Sequence, residues 1–203
     1  MTLLDPIAAE TLREASIPVL ETERLVLRAP RHEDAKAIAL IANDRRIAEN
    51  TARIPHPYRL ADAESFIAAA NADGTTSFLV TLADATVLGV CGMTHSDGPG
   101  PELGFWLGSR FWDRGYATEA VRALIDLAFT DGDHESLQAG ARVTNPASRR
   151  VLEKCGFQWT GVGLYRIEAL ASSAPIDRFR LERRIWASLK SWGPMRRMAR
   201  GQA

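Results

Sequence analysis

The sequence predicts one α/β domain built on a mixed, mostly antiparallel sheet. The observations behind this are the element order and the lack of any internal repeat. The order reads strand, two helices, a run of strands, helix, strand, helix, two strands. With 203 residues, 46% hydrophobic and 25% charged, the chain can bury a core without staples. Residues 1–20 read as an extension, 21–190 as the domain and 191–203 as a basic tail.

The extension has room for one short helix. "RLVLR" (24–28) alternates polar and apolar residues as a half-buried strand does. "AKAIALIAN" (35–43) carries Ile38, Leu40 and Ile41 at helical spacing, and "ADAESFIAAA" (61–70) reads as a second helix. Between them lies the Pro-rich loop "IPHPYRL" (54–60). "SFLVTL" (77–82) and "VLGVCGMT" (87–94) flank a short turn and predict a hairpin. After the turn-forming "SDGPGP" comes a third strand, "ELGFWL" (102–107).

Tyr116 to Phe129 is the clearest helix, with Ala117, Ala120, Val121, Leu124 and Ala128 on one face. "LQAGARV" (137–143) is a strand. The next helix, within 145–157, carries Asn145 as cap, Pro146 at its first position and Gly156 past its end. Two late strands, 160–170 and 177–189, are joined by the loop "ASSAPI" (171–176), and the tail from 193 reads as frayed.

Formal net charge is zero, so no general attraction to nucleic acid or an anionic membrane follows. The N-terminal stretch lacks a basic region of the signal-peptide kind, and no apolar run reaches the ~20 residues of a membrane span. Cys91 and Cys155 lie in apolar stretches without a CxxC partner, which predicts reduced thiols and a cytoplasmic protein. His32, His56, His95 and His134 show no ligand spacing, so no metal is expected.

The stretch "FWDRGYATEA" (111–120) raises the functional question. A strand feeds a helix whose first turn begins at Gly115, with Arg110 and Arg114 beside it. Free N–H groups, the helix dipole and a glycine that admits close approach together suit phosphate. The plainer alternative is that Asp113 caps the helix and Gly115 only relieves a turn. There is no GxxxxGK[ST], and "GVG" (161–163) does not continue as GxGxxG, which disfavours P-loop and dinucleotide sites.

Taken together, "ETERLVLR", "ELGFWLGSRFWDRGYATEAVRALIDLAF" and "ARVTNPASRRVLEKCGF" resemble the GNAT superfamily of acyl-CoA-dependent N-acetyltransferases. The similarity is closest to its ribosomal-protein N-terminal (alanine) acetyltransferase branch and runs from about Thr22 to Leu189. The resemblance implies a sheet splayed in a V with helices on both faces. It maps the family's pyrophosphate loop onto Trp112 to Ala117, with Trp112 where the family usually has Gln or Arg. It implies that N–H groups from Arg114 through Gly115, Tyr116, Ala117 and Thr118 hold the pyrophosphate of acetyl-CoA; by position alone, Arg110 and Arg114 can add charge there.

The pantetheine arm would pair with the backbone near Phe105, Trp106 and Leu107, and the Leu107 N–H would polarise the acetyl carbonyl. Asn145 resembles the family asparagine that contacts pantetheine, and a plain cap is the alternative. The tyrosine many members carry seven residues later is Leu152 here, which leaves Ser148 to protonate the leaving thiolate. Arg149, Arg150 and Lys154 read as a solvated helix face with a possible reach to phosphates.

Transfer needs a neutral amine. At pH 7 that costs about 4.6 kcal/mol for a lysine amine and about 1 for an α-amine. Glu102 is the leading candidate base and His95 the reserve. The acceptor, a small molecule or a protein N-terminus, would be recognised by "IPHPYRL", the second helix and "SSAPI". The state expected is monomer or homodimer. The competing reading is a non-catalytic acyl-CoA-binding module, and RNA binding through "RRMAR" in the tail ranks below both.

Overall fold

The computed structural model describes residues 17–70, 75–95 and 98–189, and the backbone of 196–197. The short helix expected in the extension lies outside the described residues. The strands are β1 (Leu20–Glu21), β2 (Leu25–Arg28), β3 (Thr75–Leu82), β4 (Val87–Thr94), β5 (Glu102–Leu107), β6 (Ser136–Arg142), β7 (Gln158–Ile167), β8 (Ser172–Glu182) and β9 (Arg196–Arg197). The helices are α1 (Ala35–Ala42), α2 (Arg45–Ala48), α3 (Leu60–Ala69), α4 (Tyr116–Asp131), α5 (Pro146–Lys154) and α6 (Arg183–Ser188).

All nine strands form one sheet in the order β7-β8-β6-β5-β4-β3-β2-β1-β9. Every pairing is antiparallel except β5 with β6. The alternation of side chains across the pleat sorts the core into two layers. On one face Leu103, Leu107, Leu137, Ala139 and Phe179 pack under α4, α5 and α6. On the other Leu79, Val87 and Val90 pack under α1, α2 and α3. Among the described residues no helix is long and apolar enough to cross a membrane.

The structure differs from the local reading at several points. Residues 45–48 form a helix, α2, because Asp44 caps it by accepting from the Arg46 N–H at 2.9 Å. "SSAPI" is not a loop: Ser172 to Ile176 pair along β7, and the reversal is made by Glu168–Leu170 and by Ala171 at φ 48°. Ala174 and Ile176 are buried there with Ile167, a contact that a local reading of Ser and Pro misses. The last strand ends at Glu182, and α6 turns Trp186 onto Phe129, ring centroids 5.2 Å apart. Arg183 completes that junction, donating to the carbonyls of Phe129, Gly132 and His134 at the end of α4. In the tail, Arg196–Arg197 pairs with β1 rather than fraying. Leu20, counted with the extension, is fully buried in β1.

Candidate active site

The site begins where the sheet opens. β5 and β6 pair only at Glu102↔Gln138 and Leu103↔Ala139, although β5 runs on to Leu107 and β6 to Arg142. Beyond Leu103 the strands splay and leave edge groups on β5 without a ladder partner. Hydrogen-bond parity tells which groups these are. The Gly108 N–H donates to the Leu88 carbonyl at 2.8 Å, toward β4. By the alternation of an antiparallel ladder, Trp106 and Gly104 also point their backbone toward β4, while Phe105 and Leu107 point theirs into the V. The Leu107 carbonyl is taken by the Trp112 indole N–H at 2.7 Å. The N–H of Leu107 and both groups of Phe105 face the opening. Trp106 therefore contributes its side chain to the site and not its amide.

The next wall is the start of α4. Gly115 is the N-cap at φ 80°, a left-handed conformation that costs a residue with a Cβ about 1–2 kcal/mol. No side chain caps this helix. Asp113, the alternative cap, stands at φ 58° and does not serve as one. The first helical bond is from the Glu119 N–H to the Gly115 carbonyl at 3.1 Å, so the N–H groups of Tyr116, Ala117 and Thr118 precede it.

What fixes this turn is a pair of residues in "ETERLVLR". Arg24 donates to the Arg114 carbonyl at 2.9 Å, bridges to Glu119 at 2.6 Å and lies 4.7 Å over the Tyr116 ring. Thr22 also donates to Glu119. This anchoring explains why that stretch precedes the first long strand, a role a strand pattern alone does not show.

The third wall is α5. Asn145 caps it, its Oδ1 accepting from the Ser148 N–H at 3.1 Å, with Pro146 at the first position. The same amide donates from Nδ2 to the Ser148 Oγ at 2.9 Å. With Oγ acting as acceptor there, its own proton is left to point elsewhere. Gly156, at φ 88°, ends the helix as expected. Leu152, where a tyrosine was the alternative acid, is fully buried core.

These walls enclose a cleft of about 300 Å³, at the lower end of ligand-site volumes. It gathers Phe105, Trp106, Leu107, Gly115, Tyr116, Ala117, Thr118, Asn145 and Ser148. Two of the expected cations, Arg150 and Lys154, also line it, whereas Arg149 is held by Glu153 at 2.9 Å and Asp177 at 3.3 Å. Arg110 and Arg114 are exposed and lie outside the lining. Arg110 stacks 4.7 Å over its neighbour Phe111, and Arg114 contributes its carbonyl to Arg24.

Residues missed from sequence come from α2 and its following turn. Arg46, Ile47, Asn50 and Thr51 line the cleft mouth. Arg46 is set by Asp44 at 2.6 Å and Ser109 at 2.7 Å and lies 5.5 Å over the Trp112 ring. Its hydrogen bonds hold the Asp44 carboxyl well below the usual carboxylate range. The available signal was Asp44 ahead of "RRIA", a cap pattern obscured by the shortness of the helix.

Glu102 is not in the cleft lining. It stands at the closed end of the V, on the face it shares with Gly104 and Trp106, in register with Thr94 and Gln138. A Cβ placed on Gly140 would lie 3.8 Å from its Oε1, so the carboxylate leans over β6. Five residues separate Glu102 from Leu107, about 17 Å along a strand, while Phe105 is about 10 Å away. His95 follows β4 directly and is exposed. Gly104 and Gly140 beside the V are both exposed, with nothing within 4 Å of a Cβ at Gly104.

A family model described as an acetyltransferase (GNAT) domain matches residues 24–158. A Bacillus licheniformis protein described as an uncharacterized N-acetyltransferase, p20, is 29% identical over 149 residues, covering 70% of this chain and 84% of its own. The fold is shared with the self-immunity acetyltransferase MccE, solved in complex with acetyl-CoA and AMP. It superposes at TM-score 0.70 with 20% identity, covering 79% of this chain and 93% of that one. RimL, a ribosomal alpha-N-protein acetyltransferase solved with coenzyme A, superposes at TM-score 0.70 with 16% identity, covering 81% and 97%.

Proposed function

The chain belongs to the GNAT family of acetyltransferases and is an enzyme of that kind; on that premise we propose that it transfers the acetyl group of acetyl-CoA to a primary amine by direct attack in a ternary complex. The observation that carries this reading is the shared cleft. The uncapped first turn of α4, the open edge of β5 and the Asn145–Ser148 pair all line it.

In this reading the pyrophosphate rests on the N–H groups of Gly115 to Thr118, where the helix dipole and the missing cap favour an anion. Arg150 and Lys154 supply charge toward the phosphates. The pantetheine arm enters past Leu107 and runs back along β5 toward the closed end of the V. Leu107 then pairs with the arm, and the Phe105 N–H donates to the thioester oxygen. This moves the oxyanion donor two residues from Leu107, because a base at Glu102 must lie within about one water of the attacking amine.

The amine approaches over Gly104 and Gly140 and gives its proton through water to Glu102. Its nitrogen attacks the thioester carbon, the C–S bond breaks, and the Ser148 hydroxyl protonates the departing thiolate and recovers its proton from solvent, which also takes the excess proton of the new amide nitrogen. A carboxylate acting through water suffices for an α-amine, of which about one seventh is already neutral at pH 7, and falls short for lysine. That favours a protein N-terminus or a small amine of similar basicity.

The test is calorimetric titration with acetyl-CoA followed by a thiol-release assay over a panel of amines. Micromolar, salt-sensitive binding with turnover on at least one amine is the expected result. Binding without turnover on any amine would instead support an acyl-CoA-binding module. No binding at millimolar acetyl-CoA would overturn the reading.

A further inference from the structure

The face of the sheet that carries Glu102 also carries a set of arginines, and their spacing bears on the acceptor. Register fixes the layout. Glu102, Gln138 and Arg180 stand in one row across β5, β6 and β8. In the next rows Gly140 faces Arg178, and Arg142 faces Ile176, which faces Gly163. Two glycines report where the side chains go. A Cβ on Gly140 would meet Ile176 Cγ2 at 2.9 Å and Glu102 Oε1 at 3.8 Å. A Cβ on Gly163 would meet the Arg178 guanidinium at 2.4 Å. Glu102, Ile176 and Arg178 thus share one face, with the guanidinium laid over β7, 5.6 Å from the Tyr165 ring centroid.

The charge on this floor is unbalanced. Arg178 is exposed, and among the described residues no carboxylate pairs with it. Arg180 lies 4.0 Å from Glu182, and that carboxylate is already bonded to Arg184 at 2.6 Å. Arg142 gives its Nη1 to the Glu49 carbonyl, which is neutral. Glu102 shares this face with the three arginines, in the same row as Arg180. The guanidinium of Arg178 is also held in place, stacked on an aromatic ring, so an anion binding to it immobilises little.

Distance selects the class of acceptor. Gly140 and Gly163 are two strands and one pleat repeat apart, roughly 12 Å on the sheet grid. Glu102 leans over the first and Arg178 over the second. The backbone of a single α-amino acid spans at most about 3.6 Å, so it cannot place its α-amine near Glu102 and its α-carboxylate on Arg178. An extended peptide of about three residues can. Resting on the acetyltransferase reading above, we infer that the acceptor is a peptide N-terminus that lies extended across β6 and β8 and carries an acidic side chain at its second or third residue, bound by Arg178.

The experiment measures kcat/KM with acetyl-CoA for peptides that differ only at the third residue, Glu, Gln or Lys, beside free glutamate and a polyamine. For the native chain the Glu peptide exceeds the Gln peptide by about fivefold at low salt, the size of an exposed ion pair, and the gap closes at 0.5 M salt. In Arg178→Gln the Glu:Gln ratio falls to about one, and in Arg178→Glu the Lys peptide becomes the preferred one. A purely structural role for Arg178 would not move these ratios. Equal rates for the three peptides, a Glu preference that survives Arg178→Gln, or turnover of the small amines alone would overturn the inference while leaving acetyl transfer standing. Absence of turnover on every acceptor would overturn the acetyltransferase reading and the inference with it.

Discussion

The indole N–H of Trp112 donates to the carbonyl oxygen of Leu107 at 2.7 Å, closing the loop between β5 and α4 onto the last residue of the strand. Trp112 occupies the position where the resembling family usually has Gln or Arg. Here it acts as a clamp on the strand end rather than as a charge near phosphate. Arg46 covers its ring, so the clamp is also tied to α2. Trp112→Phe keeps the ring and removes the donor. A loss of about 1 kcal/mol in urea melts is expected, the worth of one such bond. A wider loss of acetyl-CoA affinity would follow from a β5 end that is no longer fixed, measurable by calorimetry.

Gly115 joins two requirements, a left-handed backbone and close approach to the first turn of α4. Gly115→Ala is expected to cost about 1–2 kcal/mol from backbone strain. Its Cβ would also come 3.3 Å from Arg24 Nη2, pressing on the side chain that anchors the turn. Gly115→Glu adds negative charge at the proposed phosphate position and is expected to weaken acetyl-CoA by at least tenfold beyond the alanine change. Equal affinities for the two variants would remove the pyrophosphate assignment.

Ser148→Ala separates capping from chemistry. The Ser148 N–H that Asn145 accepts is retained, so the melting curve should stay within about 0.5 kcal/mol of native. Turnover is expected to fall by tenfold or more, because the thiolate then leaves without a donor. Asn145→Ala should instead lower stability by about 1 kcal/mol through the lost cap. A Ser148→Ala enzyme with native kcat would exclude the hydroxyl as the acid.

The strands and both long helices were legible because each carries a local signal: alternation in "RLVLR", a wide apolar face in α4, the Asn-Pro start and Gly end of α5. The uncapped start of α4 was legible for the same reason, since a missing cap can be read from one position. Tertiary facts were not. α2 is four residues long, too short for periodicity, and Arg46 and Asn50 reach the cleft only through chain packing. Ser172–Ile176 has turn composition, and its strand state is imposed by β7 and by burial against Ile167. That Glu102 stands outside the cleft lining, at the closed end of the V, depends on where β6 stops pairing, which one strand's sequence does not encode.

Glu102→Gln tests the division between the cofactor cleft and the closed end of the V. Glu102 lies outside the cleft lining, so acetyl-CoA affinity should stay within about twofold of native. Turnover is expected to fall by about a hundredfold. The remaining rate should follow only the neutral fraction of the acceptor amine as pH rises. Weakened acetyl-CoA binding in this variant would mean that the carboxylate serves the cofactor side, and an unchanged rate would mean that water alone takes the proton.

The two thiols give a check on the core behind the site. Cys91 lies in β4 directly opposite Phe105, and Cys155 sits beneath the start of α4, 3.8 Å from the Thr118 carbonyl. Both are free and buried. Burial pushes each thiol up to about 12, for Cys155 against a smaller opposing pull from Arg122. The thiolate is the reactive form, so a raised value means that at pH 8 almost none is present, and burial blocks the reagent as well. In native protein at pH 8 an aromatic disulfide reagent should titrate no thiol within minutes, and in denaturant it should titrate two. Since raising the pH to 9 still leaves both groups far below their folded values, the native protein should remain unreactive there. A fast-reacting thiol at pH 8 would mean that the β4–β5 layer or the α4 start opens readily, which would undercut a rigid β5 edge as the platform for the thioester.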